Sequence, residues 1–324
     1  QFSDTEINDI IINKISGSNW KAYFRGFLAT LEGLNLDTQL EFYPISGSWN
    51  MGTGKYNYNP ESQNGVSWGW RSYSGSDAWS ISGFSSFVTA SYSGSSGGGT
   101  WYTGSSNTTV LPIFSTQSFA YTDSGDINTD ITNMVKAWYS GSIVNNGLIA
   151  KQAVEFIDDE SYENKMQFFS RDTHTIYPPQ LEFRWRDYIF NTGSSANTIL
   201  NTTNATIALD ENPGIFYPES VNKFRVNSRP TYPTRTFQTA SYFTKNYYLP
   251  TSSYYAIKDL DTNEFVVDFD NQYTQLSADT QGSYFTLYMN GLEPERYYKI
   301  LIKTIIDGSI LIFDNNYYFK VING

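Results

Sequence analysis

Apolar and polar residues alternate along most of this chain in short runs, and Gly, Ser, Asn and Pro punctuate the gaps. The run Thr38-Gln-Leu-Glu-Phe-Tyr-Pro-Ile sets Leu40 and Phe42 against Gln39 and Glu41, as a half-buried strand does. Similar runs predict strands over Trp20–Thr30, Ser115–Tyr121, Leu148–Val154, Lys165–Ser170 and Gln180–Trp185. One stretch changes period. From Asp130, the residues Ile131, Met134, Val135 and Trp138 fall at i, i+3, i+4 and i+7, the stripe of an amphipathic helix. Asp130 suits its N-cap and Gly141 the left-handed position that ends it. A second short helix, capped by Asp4 or Thr5, would turn Ile7, Ile10 and Ile11 inward.

Beyond residue 203 the alternation resumes. It predicts strands over Ala205–Asp210, Asn222–Asn227, Tyr254–Lys258, Glu264–Phe269, Tyr284–Met289, Tyr297–Ile306, Ser309–Phe313 and Tyr317–Val321. Asp261-Thr-Asn-Glu and Asp307-Gly308 sit where hairpins must turn. Such spacing predicts an immunoglobulin-like sandwich over 204–324. The polar Thr/Asn-rich stretch 188–203 reads as a linker, leaving 1–187 as the first domain. The fold class is therefore all-β, with one short helix in the first sandwich.

Composition narrows the chemistry. With no cysteine among 324 residues, disulfides, thiolate nucleophiles and cysteine zinc sites are excluded. A formal charge of −11 argues against nucleic acid as a partner, which needs a surplus of Lys and Arg. No apolar run is long enough for a membrane span. The 26 Tyr and 22 Phe suit both sheets and protein interfaces. The chain starts at Gln1, which suggests numbering from inside a longer, clipped chain.

Few residues propose an active site. His174, the one histidine, lies in Arg171-Asp-Thr-His-Thr-Ile-Tyr-Pro-Pro, a polar loop that reads as structural. No catalytic residue is assigned, and the chain is expected not to be an enzyme. A glycan-degrading enzyme, the weakest alternative, would need paired carboxylates in one cleft. Gly94-Ser-Ser-Gly-Gly-Gly-Thr-Trp-Tyr lacks the Lys-Ser/Thr of a phosphate loop and reads as a surface loop ending in a buried Trp101. No cofactor is implied, although the acidic tip Asp158-Asp-Glu-Ser-Tyr-Glu could attract Ca²⁺. Trp68, Trp70, Tyr73, Trp79 and Trp101 share a loop-rich region, and aromatic faces stack on sugar rings. They are candidate glycan-stacking residues; the bland alternative is that they pin long loops.

Three resemblances extend this reading. Leu292, Pro294, Tyr298 and Ile300 in Gly291-Leu-Glu-Pro-Glu-Arg-Tyr-Tyr-Lys-Ile resemble the tyrosine corner of fibronectin type III domains, which implies a Tyr hydroxyl bonded back to loop backbone. Asp130-Ile-Thr…Val135…Trp138…Gly141…Asn146-Gly-Leu-Ile…Phe168-Phe-Ser…Pro179-Gln-Leu-Glu-Phe is similar to the C-terminal half of DNRLRE-type domains. Those are jelly-roll-like β-sandwiches akin to carbohydrate-binding modules. Leu40-Glu-Phe-Tyr-Pro-Ile…Trp49-Asn-Met-Gly looks like that family's earlier strand and loop. Through Phe168-Phe-Ser-Arg-Asp-Thr-His-Thr-Ile-Tyr-Pro-Pro and Met289–Thr304 the whole chain resembles virion structural proteins of contractile-tailed cyanobacterial phages. That likeness implies a tail, neck, fibre or capsid-decoration component, assembled in the host cytoplasm. Its partners would be other virion proteins and further copies of itself. A host-surface polysaccharide is the partner in the alternative, adhesin reading.

Overall fold

The computed structural model describes residues 1–323 except 33–37, 54–63, 68, 80–86, 92–98, 106–111, 121–123, 153–164, 174, 194–197, 211 and 233–246. About half of the described residues lie in β-strands, nearly all of them paired antiparallel, and the chain divides into two compact units, Gln1–Arg184 and Trp185–Gly324.

In the first unit, β1 (Trp20–Gly26), β2 (Leu28–Glu32) and β3 (Thr38–Pro44) are followed by two small hairpins. These are β4 (Trp70–Ser72) with β5 (Asp77–Ala78), and β6 (Phe87–Ser91) with β7 (Thr100–Ser105). Next come β8 (Ser115–Phe119), β9 (Ile127–Asp130), β10 (Leu148–Gln152), β11 (Lys165–Phe168) and β12 (Gln180–Trp185). Two three-stranded sheets, in the orders β12-β1-β9 and β10-β3-β8, supply a common core. Leu40, Phe42, Phe119 and Ile127 are buried in it, with Phe24 and Leu148 packed alongside. The alternation of β3 is as expected: Leu40 and Phe42 are buried and Gln39 is exposed.

Helix α1 (Asp4–Asp9) is capped by Ser3, whose hydroxyl accepts the Glu6 N–H, rather than by Asp4 or Thr5. A π-turn, Ile10–Lys14, prolongs it, so only Ile7 is fully buried while Ile10 and Ile11 are half-buried. Helix α2 (Thr132–Tyr139) buries Met134, Val135 and Trp138, and Ile131 is buried just before it. Asp130 ends β9 and the N-cap is Ile131, which has no side-chain cap, although the Asp130 carboxylate accepts the Thr132 N–H at 2.9 Å. Gly141 adopts φ 71°, the left-handed terminator. The helix is tied to β1 by the Ile131 N–H donating to the Ala22 carbonyl and the Ala22 N–H donating to the Thr132 hydroxyl, both at 2.9 Å.

The second unit contains β13 (Ala205–Asp210), β14 (Ile215–Phe216), β15 (Val221–Pro230), β16 (Ser253–Asp259) and β17 (Phe265–Val267). It continues with β18 (Ser277–Asp279), β19 (Gly282–Tyr288), β20 (Arg296–Ile306) and β21 (Ser309–Val321). A four-stranded sheet, β13-β15-β19-β18, and a five-stranded sheet, β14-β21-β20-β16-β17, share one core. Phe224, Val226 and Phe285 enter it from the first sheet; Ile257, Ile300 and Phe319 enter from the second. Phe224 and Phe285 stack at 5.1 Å between centroids.

Two expectations change here. Residues 188–203 form no free linker along their described length: the Ala278 N–H donates to the Ile189 carbonyl, Leu200 bonds to Tyr248, and Leu200 is buried in the core. Polar composition hid the fact that Phe190 and Leu200 provide apolar anchors. The expected strands Ser309–Phe313 and Tyr317–Val321 are one strand, β21; Asp314-Asn-Asn forms an irregularity opposite Leu301, with Asn316 at φ 58°.

Aspartates fix several turns by accepting backbone N–H groups. Asp126 accepts from Leu28, Asp259 from Asp261 and Thr262, and Asp270 from Gln272 and Tyr273. Asp259 is also gripped by Arg296, and its Arg Nη2 to Oδ1 distance is 2.7 Å. Burial pushes the Asp259 carboxyl up, but the Arg296 hydrogen bonds and the two N–H donors outweigh it and hold the group below its ordinary range.

Candidate functional site

A cluster of polar and aromatic groups in the first unit lies on the face of β3 and β10 opposite the core. Glu41 and Tyr43 stand two residues apart on β3 and therefore share a face, and register places Lys151 of β10 beside Glu41. Lys151 Nζ lies 2.8 Å from Glu41 Oε2, and the Tyr43 hydroxyl donates to the same carboxylate oxygen at 3.0 Å. The ammonium also sits 5.6 Å from the Tyr43 ring centre and 5.5 Å from that of Trp101 on β7. Phe114 stacks on Tyr43 at 5.2 Å.

Chemically this is a closed clamp. Burial, then the hydrogen bond and charge of Glu41, push the Tyr43 phenol up to about 12, so it stays protonated at neutral pH and cannot act as a base. Lys151 is occupied by its carboxylate and two rings. Trp101 is 5% exposed and offers no free face for a ligand.

The other aromatic candidates divide by burial. Trp79 is 6% exposed and its indole N–H donates to the Ser67 carbonyl at 3.0 Å, so it ties together the two ends of the β4–β5 hairpin. Trp49 does similar work by donating to the Asn146 carbonyl at 2.7 Å. Trp70 is half-buried and meets Tyr73 edge-on, with the rings at 87°. Tyr73, at 45% exposed, is the open ring among the described members of the group. Trp68, His174 and the acidic tip Asp158–Glu163 lie outside the described residues. Among the described candidates Trp79 and Trp101 are buried, and the rings of Trp70 and Tyr73 stand perpendicular and form no flat row.

A cleft of about 230 Å³ opens at the start of α2, lined by Lys21, Asp130, Thr132 and Asn133 among others. Lys21 pairs with Asp130 at 2.8 Å, and the Asn133 amide donates to the Pro112 carbonyl. Burial raises the Asp130 carboxyl, but hydrogen bonds from Lys21 and Thr132 outweigh it and lower the group overall. The cleft is small for a ligand pocket, and these polar groups already have partners. Among the described residues no group of His, Cys, Asp and Glu is arranged to hold a metal ion, and no helix is long and apolar enough to cross a membrane.

Sequence reasoning missed Glu41, Tyr43, Lys151 and Phe114. The i, i+2 spacing of Glu41 and Tyr43 was a signal, but nothing local announces that Lys151 lies beside them. No family model matches the chain, and neither a curated protein nor a solved structure matches it.

Proposed function

We propose that this protein is a structural component of a bacteriophage particle and acts through protein–protein contacts. The observation that carries the reading is the β20–β21 hairpin, where Ile310 and Ile312 stand 64% and 57% exposed on one face of a sheet edge. Branched apolar side chains held open in this way are what an assembly covers. The aromatic clamp on β3 and β10 supports the same reading, because its rings are spent on holding loops in place. The resemblance of Phe168–Pro179 and Met289–Thr304 to cyanophage virion proteins supplies the kind of particle. Tail, neck, fibre and capsid decoration all suit this role, and assembly would take place in the host cytoplasm. The strand order of the second unit and the bond from Tyr298 back to Glu293 suit an immunoglobulin- or fibronectin-like sandwich.

Mass spectrometry of purified particles tests the reading. The chain is expected among the abundant proteins, and particles that lack it would remove the proposal. A second reading, host-glycan adhesion, has one observation in its favour, the open Tyr73 ring beside Trp70. Titration with host polysaccharide should then give heat that Tyr73→Ala abolishes. No heat with the native chain eliminates the adhesin.

A further inference from the structure

We infer that residues 309–313 of β21 form a self-pairing edge, through which two copies of this chain join their five-stranded sheets into one continuous antiparallel sheet. The inference rests on the assembly reading above for its biological setting and names the partner of that surface.

The backbone supplies the first argument. Ile306 and Ser309 pair across a two-residue turn, Asp307-Gly308, in which both residues have positive φ (48° and 76°). In such a hairpin Ile306 and Ser309 exchange hydrogen bonds, and alternation repeats this at Thr304 with Leu311. The N–H and C=O groups of Ile310 and Ile312 therefore point away from β20. Among the described residues, the neighbour on that side is β14, and it pairs only with Lys320 and Val321. An open edge of this kind is a template for another strand.

The side chains supply the second. The segment Ile310-Leu-Ile reads the same in both directions about Leu311. A two-fold axis through Leu311 sets Ile310 against the partner's Ile312, and Ile312 against the partner's Ile310, as hydrogen-bonded pairs. Both isoleucines lie on the outer face of the sheet with Lys303 and Ile305, opposite the core-facing Ile302 and Ile306. Pairing would set them side by side across the seam and cover the flank of each.

Charge supplies the third. Residues 309–313 carry none, although the whole chain is at −11. In this register Asp307 faces the partner's Asn315 and Asp314 faces the partner's Gly308, so no like charges meet directly across the seam. Asp314 is also neutralised within its own chain by Lys299.

Sedimentation equilibrium on the full 324-residue chain tests the interface. The native chain should show a concentration-dependent dimer. Ile310→Lys with Ile312→Lys places like charges in both hydrogen-bonded pairs and should weaken the dimer about tenfold or more. Ile310→Lys with Ile312→Glu places opposite charges in the same pairs and should restore much of the association. A native chain that stays monomeric, a double-lysine variant that dimerises as well as the native chain, or a Lys/Glu variant no better than the double lysine would each overturn the proposal. Hydrogen exchange gives a readout that needs no variant: the amides of Ile310 and Ile312 should be protected at high concentration and exchange on dilution. Exchange that is equally fast at both concentrations overturns the interface. Particle incorporation reports separately on the assembly reading, since a dimer absent from particles keeps the interface and removes the setting.

Discussion

The hydroxyl of Tyr298 donates to the carbonyl of Glu293 at 2.9 Å, five residues back along the chain. Tyr298 is buried against Phe319, with ring centres 5.5 Å apart, so the bond spans a loop that turns through Glu295 at φ 64°. Tyr298→Phe keeps the ring and removes the donor. It should destabilise the second unit by about 1 kcal/mol. Tyr298→Ala empties the site and should cost roughly 3–5 kcal/mol. Urea denaturation of both variants checks this; equal losses would mean that the ring, and not the bond, does little.

Arg225 holds Asp279 through two parallel hydrogen bonds of 2.8 and 2.9 Å, and Lys223 adds a third at 2.9 Å. The Arg225 bonds, helped by Lys223 and the Gln281 N–H, keep this carboxyl well below the usual range against a smaller opposing effect of burial. A folded-state pKa below the unfolded value means stability that is complete above about pH 4 and is lost as pH falls toward the folded value. Asp279→Asn should therefore be less stable than the native chain at neutral pH. The gap should narrow on acidification below about pH 4. Denaturation midpoints measured across the acid range decide it, and a pH-independent gap would contradict the pairing.

Lys151 and Glu41 face each other with side chains 14% and 19% exposed. Lys151→Met leaves the carboxylate with the Tyr43 hydroxyl alone and should cost about 1–3 kcal/mol, less than for a fully buried pair. Adding Glu41→Gln removes the stranded charge and should recover part of that loss. A double variant that is less stable than the sum of its singles would show that the clamp is not the pair described.

Trp138 buries its ring beneath α2, and its indole N–H has no hydrogen-bond partner among the described residues. Trp138→Ala should cost roughly 3–5 kcal/mol. Trp138→Phe removes the unpaired donor and keeps most of the packing, so it should cost far less. Thermal melts separate the two; a native-like melt for Trp138→Ala would mean the helix does not rest on this side chain.

Strands whose alternation survives end to end, such as β3 and β20, were legible because one face meets the core and the other meets solvent. β9 was not: Ile127-Asn-Thr-Asp is short, and its buried Thr129 carries no apolar signal. The stretch 188–203 was obscured for a related reason, since its backbone bonds to Ala278 and Tyr248 do the anchoring and composition does not record them. The division of β21 in two failed because Asp314-Asn-Asn, a sequence typical of turns, is accommodated as an irregularity inside the strand. Of the candidate site, the tryptophans were visible by type, but whether a ring faces solvent depends on partners such as Lys151 and Ser67 that only the fold brings near.

The aspartates that accept backbone N–H groups turn the acidity of the chain into a set of latches. Asp130, Asp259 and Asp279 each fasten a loop or a helix start while ionised. Protonation weakens every one of these acceptors and leaves Phe42, Phe224 or Phe319 in place, because apolar burial does not titrate. Because these three carboxyls are held below the ordinary carboxylate range, only strong acid should slacken the connections, and it should do so before it separates the sheets. The molecule meets acid as a frame whose joints loosen while its panels hold.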